Sequence, residues 1–149
     1  IIGLPGETDT DVRAIVELAA EARSIMIEQA RKTGVIGQIN LGASVLVPKP
    51  YTPWQREPFS ERREVSRRLT LLRKGVLRLP NVSLGSVSIR QALWQTYISR
   101  AGSEGADAIE RMARGEPLSA VLRSLGDRLE PEVFTRLEGE LRWHFMRTG

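Results

Sequence analysis

No cysteine occurs in the 149 residues. The chain by itself therefore has no means of forming a disulfide, a zinc–thiolate site or a cysteine-ligated iron–sulfur cluster. Histidine is nearly absent as well, and His144 alone excludes a poly-histidine metal site. No apolar run approaches the roughly 20 residues that a membrane-spanning helix needs. No basic segment followed by an apolar core marks a signal peptide. These absences predict a soluble, cytoplasmic chain. Acidic excess is also missing: 22 Lys and Arg against 18 Asp and Glu leave a net charge of +4. Such a balance permits an anionic partner without demanding one.

What is present begins at the first residue. Chain termini are usually polar and frayed, whereas Ile1-Ile2-Gly3-Leu4 reads as the end of a buried parallel strand, apolar on both faces. The expectation is that Ile1 is a cut edge and that the chain is the C-terminal piece of a larger parent. Pro5-Gly6 turns the chain. Thr8 followed by Asp11 forms a capping-box variant, with Glu7 and Asp9 near the same helix N-terminus. A helix is predicted from about Asp9 to Lys32, burying Val12, Ile15, Val16, Ala19, Ala22 and Met26, and Gly34 stops it.

Gln38 to Val47 reads as a second strand, ended by the alternating prolines of Pro48-Lys49-Pro50-Tyr51-Thr52-Pro53. Strand, helix and strand in this order predict a right-handed parallel βαβ unit. Ser60 is placed to cap a helix from Glu61 to about Leu79, with Val65, Leu69, Leu72, Val76 and Leu79 on its buried stripe. Burying each would contribute about 1.5–3 kcal/mol before entropy is subtracted. Its other face carries Arg62, Arg63, Arg67, Arg68, Arg73, Lys74 and Arg78 against Glu61 and Glu64. That local excess of cations could meet nucleic-acid phosphate, or be a solvated outer face.

Asn81 to Leu84 reads as a third strand or extended segment. Helices are predicted over Ile89–Arg100, about Ala106–Arg114 and Pro117–Leu125. A last helix begins near Pro131, with Phe134, Leu137, Leu141 and Phe145 on one face. The fold class is α/β in front and all-helical behind, divided at 1–85 and 86–149. Trp94, Tyr97 and Trp143 are expected to serve packing, and His144 to be structural or at the surface. Gly3-Leu4-Pro5-Gly6-Glu7-Thr8 lacks both the P-loop and the dinucleotide pattern, which leaves a tight strand-to-helix turn or a loose phosphate loop. Pro48 to Trp54 is stiff enough to wall or cover a ligand at a strand's C-terminal end, or simply to connect.

Two of these segments carry a resemblance. IIGLPGETDTD at Ile1 to Asp11, with VLVPKPYTPWQ about forty residues on, is similar to the second half of a radical S-adenosylmethionine (SAM) barrel. The second motif is most like the members that carry an upstream cobalamin-binding domain. The similarity runs more loosely through Val87 to Leu93 and Ser99 to Gly102, and covers about residues 1–125. It implies a C-terminal fragment of a partial (β/α) barrel, with Ile1 to Leu4 ending the fifth strand and Gln38 to Val47 forming the sixth. It implies a parent with SAM and a [4Fe–4S] cluster as cofactors, and leaves cobalamin open. The cluster's three cysteines would lie upstream, so the fragment alone is expected to bind no cofactor and to be inactive. By resemblance, Ile1 and Gly3 fall at the adenine side of the SAM pocket, and backbone atoms near Val45, Leu46 and Val47 face adenine. No catalytic or metal-ligating residue is assigned. The expected partners are the rest of the parent chain, an unknown substrate and, through an exposed strand edge, a second copy. Two other readings remain: a basic RNA-binding module that depends on Arg63, Arg67 and Arg68, and a helical interaction domain without a catalytic parent.

Overall fold

The computed structural model describes residues 1–86 and 88–143. It is a mixed α/β, mostly helical chain whose strands form a two-stranded parallel sheet. The chain separates into two compact units, Ile1–Val45 with Arg62–Val87, and Leu46–Glu61 with Ser88–Gly149.

The first unit follows its sequence closely. Helix α1 (Asp9–Thr33) starts on a complete capping box: the Thr8 side chain accepts from the Asp11 N–H, and the Asp11 carboxylate accepts from the Thr8 N–H. It ends on Gly34 in the left-handed region, a conformation that costs glycine nothing. Strand β1 (Ile39–Ala43) pairs in parallel with β2 (Val82–Ser86), Ile39 opposite Val82 and Gly42 opposite Gly85. Helix α2 (Arg62–Val76) joins them and buries Val65, Leu69, Leu72 and Val76. The strand expected over Gln38 to Val47 is thus regular only to Ala43, with a single further parallel bridge between Val45 and Ile2.

That bridge defines a third parallel segment. Ile39 donates to the Asn81 carbonyl beside β2, and Ile2 donates to the Ser44 carbonyl. Backbone groups of successive strand residues point to opposite edges, so Ser44 presents its carbonyl to the edge away from β2. Residues 1–4, β1 and β2 therefore lie side by side, each joined to the next through a helix. The two helices run parallel: Asp9 pairs with Arg67, Val16 abuts Gly75, and Arg23 Nε donates to the Pro80 carbonyl. Of the α1 stripe, Val12 and Ala19 are buried and Ile15, Val16 and Met26 half-buried, but Ala22 is exposed. Packing against one partner helix covers a narrower arc than the expected stripe.

The second unit packs α3 (Ile89–Arg100), α4 (Gly105–Ala113), α5 (Leu118–Leu125) and α6 (Leu129–Val133) with the segment 46–61. Leu93, Tyr97, Val121, Val133 and Phe59 are buried in it. Phe59 meets Phe134 edge to face at 6.1 Å, and its N–H donates to the Val133 carbonyl. Trp94 stacks on Tyr97 with centroids 6.1 Å apart, in the packing role expected of both. Arg100, 1% exposed, donates to the carbonyls of Glu132, Val133 and Arg56. A cation at those carbonyls satisfies the C-terminal end of α6 and complements its dipole. The last helix differs from expectation: it stops at Val133, and Phe134 to Trp143 form bends and turns. The Leu137 N–H is taken by the Arg56 carbonyl, and Arg56 donates to the carbonyls of Leu137 and Gly139. These tertiary bonds replace the helical ones. Phe145 and His144 lie outside the described residues.

Candidate functional site

The two strands repeat one short pattern, Asn40-Leu41-Gly42-Ala43 and Ser83-Leu84-Gly85-Ser86, and the parallel register lays one on the other. Alternation sends Ile39, Leu41, Ala43 and Val45 to one face, the side that α1 and α2 cover within this unit. The opposite face holds Asn40, Gly42 and Ser44 beside Ser83 and Gly85. Asn40, Gly42, Ser44 and Gly85 are exposed, and the Ser83 hydroxyl donates to Asn40 Oδ1 at 2.6 Å. A Cβ at Gly42 or Gly85 would meet nothing within 4 Å. An open depression of about 460 Å³ lies at the C-terminal ends of the strands, lined by Gly42, Ala43, Ser44, Gly85 and Ser86. In parallel α/β layers this is the end where ligands bind.

The turn after Ile1 to Leu4 opens on the same end. Gly3 and Gly6 take positive φ of 90° and 77°. The Glu7 carboxylate accepts from the Gly3 N–H at 2.9 Å and from Arg68 Nη1 at 2.9 Å, while Arg68 Nη2 donates to the Glu7 carbonyl. The side chains of Glu7 and Arg68 are 4% and 13% exposed. This carboxylate therefore does more than favour a helix N-terminus: it closes the strand-to-helix turn and ties it to α2. Arg68 Nε lies 3.0 Å from Glu64 Oε1 without the alignment of a hydrogen bond.

The residues implied by the resemblance fall as follows. Ile2 is fully buried, while Ile1 is 62% exposed. Gly3 is buried at the turn and Val45 is buried opposite Ile2, so the Ile2–Val45 bridge brings Ile1, Gly3 and Val45 close along the chain. Leu46, buried, and Val47, half-buried, open the segment that belongs to the second unit. The small exposed face of Asn40, Gly42, Ser44, Ser83 and Gly85 is not among the residues that the sequence patterns single out. Its signal is present nonetheless: small or polar residues at every second position of both strands, and a glycine at the same place in each.

The basic face of α2 divides in two. Arg67 bonds both carboxylate oxygens of Asp9 and both of Glu64, and these bonds hold the two acids below their ordinary values. With Arg68 bound to Glu7, two of the three arginines expected to carry RNA binding serve the fold instead. Arg63, Arg73, Lys74 and Arg78 are exposed and make no ion pair among the described residues.

In the second unit, Pro48 to Trp54 is held firmly. Tyr51, at φ 60°, donates from its N–H to Gln55 Oε1 and from its hydroxyl to the Trp143 carbonyl. The same Gln55 oxygen accepts from Trp143 Nε1 at 2.9 Å. A cavity of about 280 Å³ nearby is lined by Arg100, Glu132, Arg142 and Trp143 among others. Arg142 there is already bound to Glu104 and Glu132, so its polar wall is largely satisfied from within.

No three His, Cys, Asp or Glu side chains among the described residues are grouped to hold a metal ion. No helix among them is long and apolar enough to cross a membrane. No protein-family model matches the chain, and neither the curated proteins nor the solved structures provide a match.

Proposed function

We propose that this chain is the C-terminal wall of a radical SAM barrel, and that the rest of a parent chain supplies the reactive centre. One observation carries the reading. Three parallel segments are joined through two parallel helices packed on each other, and the sheet face opposite them is small, polar and open. Right-handed crossovers that add each strand on the same side put successive helices on one face, in a (β/α) barrel and in one half of a doubly wound sheet alike. A doubly wound sheet is covered by helices and apolar on its other face too, whereas this face is small and polar, as suits the inward face of a ligand-binding barrel. The glycine turn at Gly3 to Glu7 and the depression at Ser44 and Ser86 then share the C-terminal end, where such a barrel binds its ligands.

In this reading Ile1 offers an apolar surface to adenine, Gly3 lets the backbone turn beneath it, and main-chain groups of Val45, Leu46 and Val47 give adenine its hydrogen bonds. Glu7 and Arg68 hold the turn in place. An iron–sulfur cluster does not fit the residues present, because the chain has no cysteine to ligate it. No step through a cluster is therefore assigned to this chain.

The test is the coding sequence upstream of Ile1. An in-frame Cys-x-x-x-Cys-x-x-Cys is expected, and the full-length protein, reconstituted anaerobically, should release 5′-deoxyadenosine from SAM. A start codon close upstream with no intervening cysteine overturns the proposal.

A further inference from the structure

The outer face of α2 carries an inference that does not rest on the barrel reading. Arg63, Arg67, Thr70 and Lys74 follow one another at spacings of four, three and four, which places them on a single ridge. Arg78 continues that line in the turn beyond the helix, and Arg73 sits beside it. The ridge lies opposite the buried stripe of Val65, Leu69, Leu72 and Val76. From Arg63 to Arg78 it runs about 22 Å at the helical rise. The only carboxylate within α2, Glu64, is already bound by Arg67. Arg67 is shared by the carboxylates of Glu64 and Asp9, whereas Arg63, Arg73, Lys74 and Arg78 form a cationic track in which none of the four has an ion pair among the described residues.

We propose that this track docks the phosphodiester backbone of duplex nucleic acid, by charge and without reading sequence. Three of the four cations are arginines, whose planar fork suits phosphate oxygens. The Ser66 hydroxyl lies on the same exposed side and suits phosphate as well, whereas the Thr70 hydroxyl donates to the Ser66 carbonyl. No aromatic residue occurs in α2, so the stacking platform on which unpaired bases are held is missing. A membrane surface fits less well, because it takes up an apolar helix face. The apolar face of α2 is buried in the unit, and Leu77, 78% exposed, is the one large apolar side chain beside the track. An acidic protein partner fits less well for the same reason, since stable protein interfaces centre on desolvated apolar or aromatic anchors.

The experiment is fluorescence anisotropy with labelled 20-base-pair duplexes of mixed sequence, one of RNA and one of DNA, titrated with the protein between 50 and 200 mM KCl. Four neutralised phosphates give a log–log salt slope of roughly −3.6, a loss of about 150-fold in affinity over that range. The variant Arg73→Gln/Lys74→Gln should halve the slope, leaving a loss of about 12-fold. Arg63→Gln/Arg73→Gln/Lys74→Gln/Arg78→Gln should abolish binding, with unchanged circular dichroism because all four side chains are exposed. Arg123→Gln, an exposed cation on α5, is the control and should bind as the wild type does. Equal salt slopes for RNA and DNA support a backbone-only contact. Three results overturn the proposal: no duplex binding at 50 mM KCl, binding that the fourfold variant retains, or binding confined to phosphatidylserine vesicles.

Discussion

At Gly75 a methyl group has no room. An ideal Cβ there would lie 2.6 Å from Val16 Cγ2 and 2.9 Å from Val16 Cγ1. The backbone of α2 approaches α1 so closely only because position 75 has no side chain. Alanine is the better helix former by about 1 kcal/mol, yet overpacking a tight contact costs about 1–3 kcal/mol. Gly75→Ala is therefore expected to lower stability by up to about 2 kcal/mol, read as a lower urea midpoint. Val16→Ala added to it should recover part of that loss, because the clashing methyls are removed. The glycine was visible in the sequence as an interruption of a helical pattern, but its neighbour 59 positions away was not. The same holds for Arg68. Sequence periodicity puts it among the seven cations of the predicted helix from Glu61 to Leu79, and only the tertiary contact with Glu7 shows that it is half-buried and structural. Loss of Arg68 leaves the Glu7 carboxylate, its side chain 4% exposed, without its cationic partner, so substitution of Arg68 disturbs the fold before it reports on any ligand.

Elements begin and end largely as local chemistry dictates. The capping box of α1 and its left-handed glycine stop follow from residues within a turn of the boundary. The cap also has a pH signature. The Thr8 side chain, and then the Thr8 N–H, bind the Asp11 carboxylate and hold it below its ordinary 3.8; the bond from Arg67 does the same for Asp9. A depressed folded-state value contributes stability that is fully present above the unfolded value and is lost as pH falls through the folded one. Both acids thus stabilise α1 at neutral pH, and that contribution should fade only below about pH 4. Thr8→Ala should cost about 1 kcal/mol at neutral pH and return the Asp11 titration, followed by NMR, toward 3.8. An Asp11 midpoint that does not move would remove the capping account. The final helix shows where local reasoning stops. The spacing of Phe134, Leu137 and Leu141 suits a helix, but the chain leaves helical geometry at Phe134 because Arg56 binds the following backbone.

On the scale of the whole molecule, composition shifts near Ser86 suggest a division into 1–85 and 86–149. The contacts form two units that share the chain differently: Leu46–Glu61 joins the helices that follow Ser88. Phe59, Arg56 and Gln55 of that segment bind Phe134, Leu137 and Trp143. A fragment of residues 88–149 therefore lacks part of its own core. It is expected to melt without a cooperative transition by circular dichroism, whereas residues 46–149 should show one. A cooperative melt of 88–149 would mean that the four helices suffice. The proposed cationic track belongs to the first unit, as do Ile1, Gly3 and Val45 of the proposed SAM-facing wall, whereas Leu46 and Val47 belong to the second. The two proposals are tested independently.

The sequence by itself determined what depends on neighbours along the chain. It set the helices with their caps, the strand segments with their alternation, the absence of cysteine ligands and the excess of cations on α2. Only the tertiary structure decided what depends on partners distant in sequence. It set Gly42 opposite Gly85 and paired Ile2 with Val45. It drew Arg67 and Arg68 into the fold while leaving Arg63, Arg73, Lys74 and Arg78 to solvent. The reason is physical: caps and periodicity act through bonds within one turn or one pleat. Register, burial and charge pairing are settled only when separate segments compete for the same surface.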